Sequence, residues 1–235
     1  MLRVEGIQAF YGRSQALHDF SVEVAAGEVL CLLGRNGAGK TTALKAIMGL
    51  VRPRGGRITL DGEDLAGLPA HEIPRRGLGY VPQGRRLFAE LSVRENLGIG
   101  LMVRGSGQAV LDRALDLFPV LRQRLDQRAG TLSGGEQTML TIARALCIEP
   151  RILLLDEPTE GLMPSMIATI RAVVLQLRDA GVGVLLVEQR VDAVLPVASR
   201  VAFMENGRIR ATVSIDAVRA DDSLLHRYVG VGHAG

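Results

Sequence analysis

The chain has only two cysteines in 235 residues, 3% aromatic side chains, and no apolar run long enough to cross a bilayer. Cys31 and Cys147 lie far apart with no metal-ligand spacing, one in a strand-like run and one in a helix-like run. Both read as buried structural thiols. The densest apolar stretches, residues 152–155 and 184–187, have the length of buried strands, whereas a membrane helix needs about 20 residues. Residues 1–6 carry charges and lack the apolar centre of a signal peptide. A cytoplasmic protein is therefore expected, reaching a membrane only through a partner. The net charge of +3 suits an acidic ligand such as a nucleotide but is too small to argue for nucleic-acid binding. His18, His71, His226 and His233 are scattered and read as non-catalytic. Internal repeats, low-complexity tracts and long linkers are also missing.

What is present is a 47% hydrophobic chain, enough for a sizeable core. Residues 1–28 alternate apolar and polar, with turn signals at 11–14 and 26–27, which predicts antiparallel, half-buried strands. Residues 57–60, running into Asp61-Gly62, are expected to join that layer. Residues 29–33 form a continuous apolar strand, followed by a glycine-rich turn and a helix predicted over 40–50. Apolar strands recur at 152–155, 184–187 and 201–204. Between the first two, Met163, Met166, Ile167, Ile170, Val173, Val174 and Leu177 fall at helical spacing, with Pro164 in the first turn. Strands alternating with helices imply an α/β fold with a mainly parallel sheet covered on both faces. Residues 92–149 lack strand signatures and read as helices broken at 105–107, Pro119 and Gly130. They are assigned to an inserted helical lobe, leaving a core at about 1–91 and 150–235. Asn206-Gly207 signals a hairpin.

Three motifs carry chemistry. Residues 34–41 (Gly34, Arg35, Asn36, Gly37, Ala38, Gly39, Lys40, Thr41) satisfy G-x-x-x-x-G-K-S/T between a buried strand and a helix. The glycines let backbone N–H groups turn inward on a phosphate, and the helix start adds partial positive charge. Lys40 is expected to reach the β- and γ-phosphates and Thr41 to ligate Mg²⁺, with Thr42 next to it. The second motif is an apolar strand ending in Asp156 and Glu157. Ligands of parallel sheets bind beyond the carboxyl ends of strands, so these acids should sit beside the phosphate loop. Asp156 would hold the metal, and Glu157 would act as general base on the attacking water. Third, Leu132-Ser133-Gly134-Gly135-Glu136-Gln137 precedes a helix-like stretch and offers a second anion site at a helix start.

Two phosphate-binding helix starts in one chain resemble the ABC ATPases, whose L-S-G-G-E/Q-Q motif stands here at 132–137. The resemblance spans nearly the whole chain, with the motifs in family order. It implies a P-loop NTPase core with an N-terminal antiparallel layer and a helical lobe. Two subunits would pack head to tail, so that Ser133, Gly134, Gly135 and Gln137 of one cover ATP held by the other. Tyr11 matches the aromatic residue that stacks on adenine, and Gln83 the glutamine that senses Mg²⁺ and links to the membrane subunit. Two departures stand out. Gln189 occupies the place of the usual γ-phosphate histidine; it can donate an amide hydrogen bond but carries no imidazolium charge. Met163 replaces the usual aspartate after the acidic pair. With the Glu160-Gly161-Leu162 loop and the stretch 81–88, these features are similar to the second ATPase subunit of branched-chain amino acid importers and of urea/short-amide importers. That resemblance implies a sister ATPase, two permease subunits, a periplasmic binding protein, no nucleic acid, and a location on the cytoplasmic face of the inner membrane. Arg85, Arg86, Leu87 and Phe88 are candidates for the groove that receives a membrane-subunit helix. Lipopolysaccharide-export and non-transport ABC ATPases are the alternatives.

Overall fold

The computed structural model describes residues 1–84, 86–221 and 223–229. Its centre is a six-stranded sheet, ordered β10-β9-β3-β8-β7-β6. The strands are β3 (Val29–Leu33), β6 (Leu78–Val81), β7 (Ile152–Asp156), β8 (Gly183–Glu188), β9 (Arg200–Glu205) and β10 (Arg208–Ser214). All pair in parallel except the β9–β10 hairpin. Every residue of β3, β7 and β8 is buried. That explains their unbroken apolar runs, since a parallel strand covered on both faces has no solvent side. One face carries Leu30, Leu32, Leu154, Leu185 and Val187 against the antiparallel layer. The other carries Cys31, Leu33, Leu155, Val184 and Leu186 against helices.

The antiparallel layer is a separate sheet ordered β2-β1-β4-β5, from β1 (Leu2–Tyr11), β2 (Ser14–Val24), β4 (Gly55–Leu60) and β5 (Glu63–Asp64). Residues 57–60 join it as expected, pairing with β1 through Leu2↔Leu60. Asn206 and Gly207 turn the β9–β10 hairpin with φ values of 48° and 73°, the left-handed pair that a tight turn of this kind demands.

Helix α1 spans Lys40–Ile47 and stops short of the predicted residue 50. Gly49, at φ +68°, adopts the left-handed conformation that ends helices. Strand β6 is an addition to the sequence reading: four residues including Gly79 and Tyr80 are too short and too mixed to signal a strand. Between β6 and β7 lie α2 (Val93–Met102), α3 (Gln108–Leu117), α4 (Pro119–Arg122) and α5 (Gly134–Leu146). Their breaks are 103–107, Phe118 and 123–133; Pro119 stands in the first turn of α4 rather than in a break, and Gly130 lies in a 3₁₀ turn within the last break. Helix α6 spans Pro164–Asp179, and α7 (Val191–Val194), α8 (Ile215–Ala220) and α9 (Ser223–Tyr228) are the remaining α-helices among the described residues. Cys31 and Cys147 are both buried and unpaired. Burial pushes both thiols up, Cys147 to about 11.

Candidate nucleotide site

Strand order sets the geometry. β8 lies between β3 and β7, so the chain leaving β8 emerges between the phosphate loop after β3 and the acids after β7. At that edge Leu33 pairs with Glu188, and Val187 with Asp156.

The loop 34–41 wraps onto α1 with Gly37 and Gly39 at φ 80° and 106°. A Cβ at Gly34 would fall 2.3 Å from the Met204 carbonyl oxygen, so contact requires glycine there, while conformation favours it at Gly37 and Gly39. The hairpin turn braces the loop: the Gly207 N–H donates to the Ala38 carbonyl at 2.8 Å. The Lys40 ammonium curls back to donate to the Gly34 and Arg35 carbonyls at 2.8 and 3.2 Å. Burial lowers its pKa, and the carboxylates of Glu157, Asp156 and Glu188 oppose that shift.

The Thr41 hydroxyl donates to Asp156 Oδ1 at 3.1 Å, and the Tyr80 hydroxyl to Oδ2 at 3.4 Å. Burial raises the Asp156 carboxyl above the usual range. Burial, reinforced by Asp156, also raises the Tyr80 phenol. Glu157 sits in left-handed backbone at φ 50°, its N–H donating to the Val187 carbonyl at 3.0 Å. Backbone held in this sparsely populated region is typical of functional loops. Both oxygens of its carboxylate accept amide hydrogens: Oε1 from Gln189 at 2.5 Å and Oε2 from Gln83 at 3.1 Å. The Gln83 amide also donates to Glu160 at 2.9 Å.

Asn36, Gly37, Gly39, Lys40, Thr41, Thr42, Gln83, Glu157 and Gln189 line one open cavity of about 730 Å³. Asp156 is buried just beneath, bonded to Thr41. Tyr11 lies elsewhere, half-exposed on a neighbouring groove with Lys45 and Tyr80. The cavity wall also includes His18, Glu160, Asn206 and Gly207, which the sequence reading did not assign to a site. Glu160 figures in the sequence as part of a loop, Asn206-Gly207 as a hairpin signal, and His18 as a histidine read as non-catalytic.

The family follows from a direct match. The model of the ABC transporter family fits residues 17–160. The chain belongs to the ABC transporter family. Over 232 residues it is 48% identical to the high-affinity branched-chain amino acid transport ATP-binding protein BraG of Pseudomonas aeruginosa, covering 98% of this chain and 100% of that one. It is 37% identical to the lipopolysaccharide export system ATP-binding protein LptB of Escherichia coli K12, covering 95% of this chain and 94% of that one. Among solved structures, the ADP conformation of MJ1267, an ATP-binding cassette of an ABC transporter, superposes with a TM-score of 0.85 at 29% identity. It covers 98% of this chain and 99% of that one. The protein is thus an ABC-type ATPase with the P-loop NTPase fold, and domains of this family bind ATP.

The family motif at 132–137 opens α5. Ser133 accepts from the Glu136 N–H, while the Glu136 carboxylate accepts from the Ser133 N–H at 2.9 Å. This capping box leaves the N–H groups of Gly134 and Gly135 outside its bonds. Gln137 is turned back onto the Leu132 carbonyl at 3.1 Å. Among the described residues, none from 132–137 lines the phosphate-loop cavity.

The groove that holds Tyr11, about 740 Å³, continues between the core and the α2 and α5 helices. Its walls include Met48, Leu50, Val51, Gln83, Arg86, Ile99 and Val103. Arg86 is therefore at the groove, Phe88 is exposed with the Arg144 guanidinium over its ring, and Leu87 packs against the core. Arg85 and His233 lie outside the described residues. No helix among the described residues is long and apolar enough to cross a membrane.

Proposed function

We propose that this chain is the ATP-hydrolysing subunit that energises a branched-chain amino acid importer. The 48% identity to BraG over nearly the whole of both chains carries the substrate class. The carboxylate of Glu157, clamped by two amides at the mouth of the phosphate-loop cavity, supports the hydrolytic role.

In this reading the N–H groups of 34–41 and the ammonium of Lys40 cradle the phosphates of ATP, and Tyr11 stacks on the adenine. Lys40 exchanges its bonds to the loop carbonyls for phosphate oxygens. Glu157 accepts the proton of the attacking water, while Gln189 orients its carboxylate and contributes no charge. Mg²⁺ fits the residues present. Among the described residues no cluster of three or more His, Cys, Asp or Glu side chains could hold a metal alone. One buried carboxylate, one hydroxyl and one amide are the kind of partial set Mg²⁺ completes with substrate phosphates and water. Asp156, Thr41 and Gln83 would hold it, and the ion would neutralise charge on the β- and γ-phosphates.

ABC ATPase homologues work as dimers with transmembrane permease subunits. We assign the partner site of Ser133, Gly134, Gly135 and Gln137 to ATP held by a sister ATPase. The Arg86, Ile99 and Val103 part of the groove is assigned to a permease helix, leaving the part lined by Tyr11 and Lys45 to the adenine, and that helix would hold the chain on the cytoplasmic face of the inner membrane. A periplasmic binding protein would act on the permeases alone. Residues 92–149 form the inserted lobe in this scheme, and the rest forms the ATPase core.

The test is reconstitution with the proteins encoded by its neighbouring genes, followed by uptake assays in vesicles. ATP-driven uptake of leucine with none of urea is the expected result. Uptake of urea alone would move the chain to the short-amide importers, and neighbours that move lipopolysaccharide would place it with LptB.

A further inference from the structure

Strand β8 should end in an apolar residue. Side chains alternate along a strand, so Glu188 continues the face of Val184 and Leu186, which packs in the helix-covered core. Yet Glu188 is a carboxylate, 2% exposed, and burial raises its pKa. No cation bonds it. Its Oε1 instead accepts from the Thr159 N–H at 3.2 Å and the Thr159 hydroxyl at 2.7 Å, with Thr159 itself 3% exposed. Burying a charge this way costs free energy that a leucine there would not. The location is what makes it useful. Thr159 stands two residues after Glu157, and Glu188 directly precedes Gln189, whose amide bonds Glu157 at 2.5 Å.

We propose that Glu188 is a positioning residue for ATP hydrolysis, tying the 157–160 loop through Thr159 to the strand end that aims Gln189 at Glu157. The proposal rests on the reading of Glu157 as general base. Two fixed points then define the loop: the Glu157 N–H on Val187, and the Thr159 pair on Glu188. Without the second, the loop pivots about the first and the base drifts from the attacking water. Nucleotide binding, which depends on 34–41, is left intact.

The experiment measures ATPase kcat and KM, together with nucleotide affinity, in the assembled transporter. Glu188→Ala should lower kcat about tenfold to a hundredfold, the range a displacement of about 1 Å produces, with KM for ATP within about twofold. Glu188→Gln keeps an acceptor oxygen for both Thr159 bonds and should recover kcat to within about threefold of the parent. Thr159→Val removes one donor at nearly constant volume and should lower kcat in the same direction, even if Glu188→Ala folds poorly. In a Gln189→Ala background, Glu188→Ala should add less than it does alone. Parent-like kcat in both Glu188→Ala and Thr159→Val would overturn the proposal, as would a loss appearing mainly in KM or a Glu188→Gln variant as impaired as Glu188→Ala. Glu157→Gln is run alongside. If it is inactive while Glu188→Ala is normal, only the positioning role fails; if it turns over like the parent, the general-base reading fails and the proposal with it.

Discussion

Glu157 and Gln189 are adjacent because β8 is inserted between the strands that carry the phosphate loop and the acids. The sequence names both side chains but not their 2.5 Å contact. Strand order in a sheet comes from crossovers, which no local pattern records. The same holds for Glu188: a charged residue closing an apolar run looks like an ordinary strand end until its partner Thr159 is known. The contact sets a hierarchy of effects. Removing the base should cost about 10² to 10⁴ in turnover. The Gln189 amide bonds a carboxylate, and a hydrogen bond to a charged group is worth about 1.5–3 kcal/mol, or about tenfold to a hundredfold in rate, less where water takes the amide's place. Glu157→Gln should therefore bind ATP and nearly stop hydrolysing, accumulating an ATP-bound dimer. Gln189→Ala should lose about tenfold, since water can fill the amide's place, and Lys40→Ala far more. ATPase rates of the assembled complex check this order, and a Gln189→Ala rate as low as that of Glu157→Gln would show Gln189 to be more than an orienting group.

At the scale of elements, legibility followed length and burial. The all-apolar strands β3, β7 and β8 could be read directly because both of their faces are covered, and the Asn206-Gly207 turn because its φ values admit few residues. Strand β6 was missed: its four residues gain their strand character from pairing with β7, not from their own pattern. The packing of α2 on α5 was equally hidden, and it turns on one glycine. A Cβ at Gly100 would lie 2.3 Å from the Arg144 carbonyl oxygen and 2.8 Å from Cys147 Cβ, whereas one at Gly98, two residues earlier, meets nothing. Gly98→Ala should stabilise the protein by up to about 1 kcal/mol, the helix-propensity difference. Gly100→Ala must push the helices apart and should destabilise by about 1–3 kcal/mol. At this size each kcal/mol moves Tm by about 2–4 °C, so thermal melts of the pair should shift in opposite directions. A Gly100→Ala melt equal to that of the parent would mean that the two helices do not pack this closely.

For the whole molecule, the chain carries two helix starts with phosphate-binding motifs but brings only one to the phosphate-loop cavity. Helix α1 opens onto the phosphate-loop cavity at Lys40, while α5 opens at Ser133, and none of residues 132–137 lines that cavity. Both starts are visible as motifs in the sequence; their separation is a property of the folded chain alone. The α5 terminus is a finished element, with its capping box closed and Gly135 packed so tightly on Met166 that a Cβ would come within 2.8 Å of that side chain. If the N–H groups its capping box leaves over and its partial positive charge serve an anion, as we propose, that anion belongs to another molecule. A lone subunit can bind ATP through one helix start but lacks the second clamp on the γ-phosphate, and so is expected to hydrolyse slowly. ATPase activity per subunit should then be low in dilute, monomeric samples and rise steeply when the sister ATPase and permeases are added. Measuring specific activity against concentration, with the oligomeric state followed in parallel, distinguishes the cases. Full activity in a strictly monomeric sample would mean that one chain completes its own site, and that the second helix start serves some purpose other than covering a neighbour's ATP.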